Sequence, residues 1–166
     1  MDITIIIFLL GGLFLGWSLG ANDAANVFGT AVGTRMVRFK TAAIVCSIFV
    51  ILGAIISGAG TTETLGKLGA INALPGAFAA CVAAGISVYL MTKAGLPVST
   101  TQAIVGAIVG WNLYTGSATN IKVLITILGT WVLCPVIAGL IAMGFFTLTK
   151  NFLLKRKLHI LRLDAY

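Results

Sequence analysis

Residues 3–34 read ITIIIFLLGGLFLGWSLGANDAANVFGTAVGT, an apolar stretch whose one charged side chain is Asp23. A hydrocarbon core of about 30 Å takes about 20 helical residues to cross, so the stretch is long enough to span a membrane. As one continuous helix it would extend roughly 48 Å at 1.5 Å per residue, well past that core. Near its middle stand Gly20, Ala21, Asn22, Asp23, Ala24, Ala25 and Asn26. Backbone broken at membrane depth is tolerated only where it lines a cavity or is buried in protein. The length and the polar group together predict a first helix interrupted near Gly20. A cleaved signal peptide is not expected, because Asp2 stands where a basic segment would be and the apolar stretch is too long.

Beyond Thr34 the pattern repeats. Residues 41–62, 68–92, 94–121 and 123–149 carry no charge, and each is long enough for one crossing. The 166-residue chain is 59% hydrophobic and 9% charged, with a mean hydropathy of +1.09. A soluble domain carries about 25% charged residues. So few charges cannot cover a water-soluble globule, which excludes an ordinary cytosolic enzyme, a disordered tail and a nucleic-acid-binding domain. The net charge of +7 does not reverse this, because the basic residues stand at the ends of the uncharged runs, where membrane proteins carry topogenic charge. The fold class is therefore all-α: a polytopic membrane helix bundle in contact with lipid. It has about five spans, 3–34, 41–62, 68–92, 94–121 and 123–149, with a basic tail or linker over 150–166.

With the N-terminus outside, the inner segments hold nine basic residues (Arg35, Arg38, Lys40, Lys93, Lys150, Lys155, Arg156, Lys157 and Arg162) and the outer ones two, Lys67 and Lys122. The opposite orientation reverses the count, so N outside and C inside is preferred.

Two polar clusters carry the functional reading. Asn22 and Asn26 are four residues apart and Asp23 and Asn26 three apart, so on a helix they share one face, which Thr30 and Thr34 continue. Oxygen donors without His or Cys suit a hard cation such as Na⁺, or a polar substrate. An inter-helix hydrogen-bond network is the plainer alternative. Asp23 weighs against it, since a carboxylate in the bilayer costs on the order of 3 kcal/mol and marks a site by default.

The second cluster is Leu96, Pro97, Val98, Ser99, Thr100, Thr101 and Gln102. Pro97 discourages a helix from continuing through it, and Ser99 with Gln102 has the form of a capping box. Capping alone would explain these residues. Yet a helix N-terminus offers free N–H groups and partial positive charge, and with three hydroxyls beside it this is an anion site that needs no basic side chain. Discontinuous helices that meet an anion near oxygen groups holding Na⁺ or H⁺ recur in secondary transporters. No nucleophile–base pair or metal constellation appears, so no enzyme and no cofactor is expected.

Other features have plainer readings. Gly12, Gly16 and Gly20, Gly29 and Gly33, and Gly106 and Gly110 are spaced for close helix packing. Cys46, Cys81 and Cys134 read as buried structural thiols. Glu63 stands at the outer end of the second span, as much a solvated charge as a functional one. Trp111 and Tyr114 fit an interfacial belt, Pro135 a kink, and residues 151–162, with His159, a surface-lying basic tail.

The two clusters resemble the signatures of the inorganic phosphate transporter (Pit) family. Residues 20–26 are similar to its Gly-Ala-Asn-Asp-Val-Ala-Asn motif, and Phe28 to Gly33 to the continuation. Pro97 to Gln102 resembles its Pro-Val-Ser-Thr-Thr-His motif, followed by Ile104, Val105 and Gly106. Thr62 to Leu65 resembles a third, weaker stretch. The resemblance covers about residues 11–115 in order.

It implies a secondary transporter of inorganic phosphate, coupled to Na⁺ or H⁺ and without covalent chemistry, in the plasma (inner) membrane. Asn22, Asp23, Asn26, Ser99, Thr100, Thr101 and Gln102 would bind substrate, and Asn22, Asp23, Asn26 and Thr100 would hold Na⁺. Gln102 stands where the family motif has His, which removes a titratable group, and Val50 where many members carry an acid. The family pattern has two related halves with both motifs in each. Here each motif occurs once, so the chain looks like one half of an inverted-repeat transporter awaiting a second half, fused or separate. A sulfate or other oxyanion permease, or a non-transporting membrane subunit, are the alternatives.

Overall fold

The computed structural model describes residues 3–69, 74–96 and 98–155, with side chains described as far as Phe152. Asp2, Pro97, His159 and the tail residues Arg156, Lys157 and Arg162 lie outside them. The described residues form five helices and no strand: α1 Ile3–Gly33, α2 Phe39–Leu68, α3 Leu74–Lys93, α4 Thr100–Thr115 and α5 Ile121–Lys155. The all-α expectation holds. Four of the helices, α1, α2, α3 and α5, are long and apolar enough to cross a membrane.

Two expectations are corrected. First, α1 is continuous through Gly20 and the polar group, not interrupted. Ala21, Ala24 and Ala25 are strong helix formers. Asn22, whose side chain could compete for its own backbone, finds partners on other segments instead. Second, the run 94–121 does not form a full span. α4 has 16 residues and is about 24 Å long, short of the bilayer core. Residues at both ends of the run are spent on chain reversals. Gly95, at φ 74°, closes α3 with its N–H donating to the Thr92 carbonyl, while Leu96 N–H donates to Met91. Gly116, at φ 69°, does the same for α4, where Ser117 N–H donates to the Asn112 carbonyl at 2.8 Å. Both glycines sit in the left-handed conformation that closes helix ends at no steric cost. Ser99 caps α4 as the sequence predicts, its Oγ accepting from Gln102 N–H at 3.3 Å.

Up to Val123 the chain forms one compact unit, with α3 at its centre, packed on α1 and on α4. Its buried face, Gly76, Ala80, Ala84, Gly85 and Val88, is made of small residues, which let helix backbones approach in lipid. A Cβ at Gly85 would lie 2.7 Å from the Phe14 ring, and one at Gly11 2.7 Å from the Phe78 ring. The stripes at Gly12, Gly16 and Gly20, at Gly29 and Gly33, and at Gly106 and Gly110 face open space instead. The close approach in this chain uses other glycines than the spacing singled out.

Phe8 meets Phe78, Trp17 meets Tyr89 and Asn22 meets Thr92. Partner numbers rise together, so α1 and α3 run in the same direction. α3 therefore ends level with Asn22 and Asp23, while α1 continues eleven residues further to Gly33, about 16 Å. The α3–α4 turn is set at that depth, beside α1, not at its end.

The second unit, from Leu124, consists in its described residues of the body of α5. The helix passes through Pro135, and its large apolar side chains are mostly exposed. Cys46 and Cys81 are half-buried and Cys134 is exposed, which corrects the reading of all three as buried thiols.

Candidate functional site

Asn22 is 2% exposed and joins the two polar clusters. Its Nδ2 donates to the Val98 carbonyl at 2.7 Å, and its Oδ1 accepts from the Val98 N–H at 3.3 Å. The carboxamide thus pairs with Val98 as a neighbouring peptide would. Thr92, in the last turn of α3, donates its hydroxyl to Asn22 Oδ1 at 3.4 Å. Asn22 Nδ2 also lies 3.2 Å from Asp23 Oδ1. Residues from α1, from the end of α3 and from the entry to α4 meet in one place.

Beside this junction lies a cleft of about 330 Å³, lined by Asn22, Ala25, Asn26 and Thr30 of α1 and by Thr92, Gly95 and Leu96. It has room for an oxyanion with several waters. The α1 wall is the polar face that the four-residue spacing predicts, now formed on an unbroken helix. Thr34 does not join that wall; its hydroxyl donates to the Thr30 carbonyl at 2.7 Å. Asp23 is half-buried at the junction, and among the described residues it makes no ion pair. The ion pair that these residues do contain joins Lys67 and Glu63, one turn apart and well exposed, which gives Glu63 the solvated role.

The second cluster is brought close but is not part of the wall. Ser99, Thr101 and Gln102 are exposed and Thr100 is half-buried, all in the first turn of α4 or its cap. The first turn of α4 begins two residues after Val98, which Asn22 holds. The structure therefore brings Asn22 into contact with Asp23 and with Val98, places Asn26 but not Asp23 among the residues lining the cleft, and leaves Thr101 and Gln102 exposed within this chain.

Leu96 was named only as the first residue of the second cluster, and Thr92 and Gly95 are cleft residues that the sequence reading passed over. Only their place at the end of an apolar run, just before the second cluster, hints at it. Asn112 was also missed. It is fully buried, donates to Thr119 Oγ1 at 2.9 Å, and fills the space a Cβ at Gly69 would need. With the Asn120 N–H donating to the Leu68 carbonyl at 3.0 Å, it ties the end of α2 to the end of α4. Its signal was available as the one amide in the body of the α4 run.

The sequence matches the model of the phosphate transporter family over residues 19–164. It is 34% identical to a protein of Thermococcus kodakarensis named "Putative phosphate permease", over 95% of this chain and 41% of that one. A protein of the same name from Pyrococcus furiosus is 34% identical over 94% of this chain and 40% of its own. The sodium-dependent phosphate transporter of Plasmodium falciparum is 33% identical over 87% of this chain and 23% of its own. The chain thus spans about two fifths of the length of the first two relatives. No solved structure matches.

Proposed function

This chain belongs to the phosphate transporter family, and from that premise we propose that it is one half of a cation-coupled carrier of inorganic phosphate, working without a covalent step. The family and the four apolar helices make it an integral membrane protein. The observation that carries the reading is the Asn22–Val98 junction, which ties the helix that bears the Asp23 carboxylate to the entry of α4, beside a cleft.

In this reading the first-turn N–H groups of α4, with the hydroxyls of Ser99, Thr100 and Thr101, receive phosphate. Asp23, Asn26 and Thr100 supply oxygen to Na⁺, or Asp23 takes a proton. Gln102 borders the anion from the next position on α4. Asp23 and a phosphate bound near it repel each other in a low dielectric unless a cation or proton neutralises one of them. The anion then binds well only when the coupling ion is present, and that requirement is the coupling. The sodium-dependent relative supports Na⁺ as the first ion to try.

The second half supplies its own copies of both motifs and covers the side of the cleft that this chain leaves open. α4 is too short to cross alone, so α3 and α4 form one out-and-back hairpin, and α1, α2 and α5 make three crossings. The number of crossings stays odd, so a fused second half would enter inverted. With Lys93 moved to the hairpin tip, eight basic residues remain on the inner side against two outside. That still favours N outside and C inside, with 150–166 as a cytoplasmic linker in the plasma membrane.

The test is phosphate uptake into proteoliposomes, with Na⁺ and pH gradients imposed separately, for the chain alone and for the chain with the second half encoded beside it or fused to it. Uptake is expected from the pair and not from the chain alone. Asp23→Asn, nearly isosteric, should insert normally and lose cation-driven uptake. Full uptake by this variant at wild-type cation dependence would remove the role given to Asp23. Equal competition by sulfate would widen the substrate to oxyanions, and no uptake by the pair would leave a non-transporting subunit.

A further inference from the structure

We propose that Asn22 is a positioning residue and not an ion ligand: its amide locks the entry of α4 to α1 and holds the Asp23 carboxylate in register with that entry. The inference deepens the reading above and rests on it for the identity of the two ion sites.

The argument is one of capacity. A side-chain amide has two N–H donors and one oxygen with two lone pairs. In Asn22 both sides are spent. Nδ2 serves the Val98 carbonyl at 2.7 Å and Asp23 Oδ1 at 3.2 Å, and Oδ1 receives the Val98 N–H at 3.3 Å and the Thr92 hydroxyl at 3.4 Å. At 2% exposure a phosphate or Na⁺ could reach it only by displacing one of these. Val98 needs the amide for a local reason. Its carbonyl lies before the cap and outside the helix ladder, which begins with Ala103 N–H donating to the Ser99 carbonyl, and Gln102 N–H is taken by Ser99 Oγ. Its own N–H, one residue before the cap, has no helical acceptor. Without Asn22 both groups would stand unpaired at membrane depth, where each is costly.

The same amide that fixes Val98 also touches Asp23, so the position of the carboxylate and that of the α4 N-terminus are mechanically linked. A cation drawn to Asp23 is thereby felt at the anion-binding end of α4, through one side chain and without a ligand bridging them.

The experiment has two arms. In the first, backbone hydrogen exchange over residues 98–100 is followed in the purified chain. Asn22→Ala should speed it about tenfold or more, the equivalent of the one to two bonds lost, and Asn26→Ala should not. In the second, the apparent constant for inorganic phosphate is measured with and without Na⁺ in the assembled carrier. The Na⁺-induced tightening seen in wild type should collapse to within roughly twofold in Asn22→Ala, whereas a defect of folding alone lowers yield and leaves that ratio intact. If Asn22→Ala does not fold, Asn22→Asp replaces it. It keeps both acceptor bonds and loses both donor bonds, and its exchange rate should fall between wild type and a fully released turn. Unchanged exchange in either variant overturns the clip. Faster exchange with an unchanged Na⁺ ratio overturns the positioning role. A wild-type carrier indifferent to Na⁺ and to pH would instead overturn the function proposed above, and the exchange arm would then decide the clip by itself.

Discussion

Ser99 caps α4 in the structure and binds the anion in the proposed function, and substitutions can separate the two roles. Its hydroxyl caps α4 by accepting from Gln102 N–H, and it lies exposed at the end of the helix where an anion would arrive. Ser99→Ala should cost about 1 kcal/mol of stability through the lost cap. Thr101→Val leaves that cap intact, so it should leave the melting temperature unchanged while raising the apparent phosphate constant of the assembled carrier. Unchanged constants in both variants would reduce the cluster to capping. The cap was legible in the sequence because Ser-x-x-Gln is a local pattern that needs nothing distant. The partner of Asn22 was not, since it is backbone 76 residues away, and backbone carries no sequence signature. The sequence marks Asn22 as a polar residue in an apolar run and leaves open whether an ion or a peptide group satisfies it. Here a peptide group does.

At the scale of helices, the uncharged runs locate every element, because charge is what the bilayer excludes. What they do not reveal is how many residues of a run the chain spends on turning. The run 94–121 loses both ends to reversals at Gly95 and Gly116, each at positive φ, and keeps a 16-residue helix. The continuity of α1 was hidden for the converse reason: polar residues in a helix look like a break until their partners are known. Glycine spacing misled in a similar way, since several glycine stripes fit the pattern and only contact tells which one packs. Gly85→Leu should destabilise the chain by about 1–3 kcal/mol, the usual cost of overpacking, because the Phe14 ring and the Leu15 backbone already crowd that position. Gly12→Ala, which meets open space, should be neutral or stabilising by up to about 1 kcal/mol. Unfolding in detergent compares them, and equal losses would contradict the α1–α3 contact as described.

For the whole molecule, the membrane class was the most legible property, as it follows from composition alone. The location of the cleft was the least, because it depends on α1 and α3 running in parallel and on α3 stopping first. That offset has an electrical consequence. Asn22 lies about 28 Å from the Ile3 end of α1 and about 16 Å from the Gly33 end, so an ion that reaches the neighbouring Asp23 from the Ile3 side has travelled about three fifths of the helix. If the transmembrane voltage falls evenly along α1, that ion has already crossed the same share of it, worth about 1.4 kcal/mol per unit charge for every 100 mV. An inside-negative potential of that size should then tighten Na⁺ binding from the Ile3 side by about tenfold. The check is the Na⁺ constant of the assembled carrier, measured with the potential clamped at zero and at −100 mV. A constant indifferent to voltage would mean that the carboxylate sits outside the field, at the water's edge, and that the turn beside it does too.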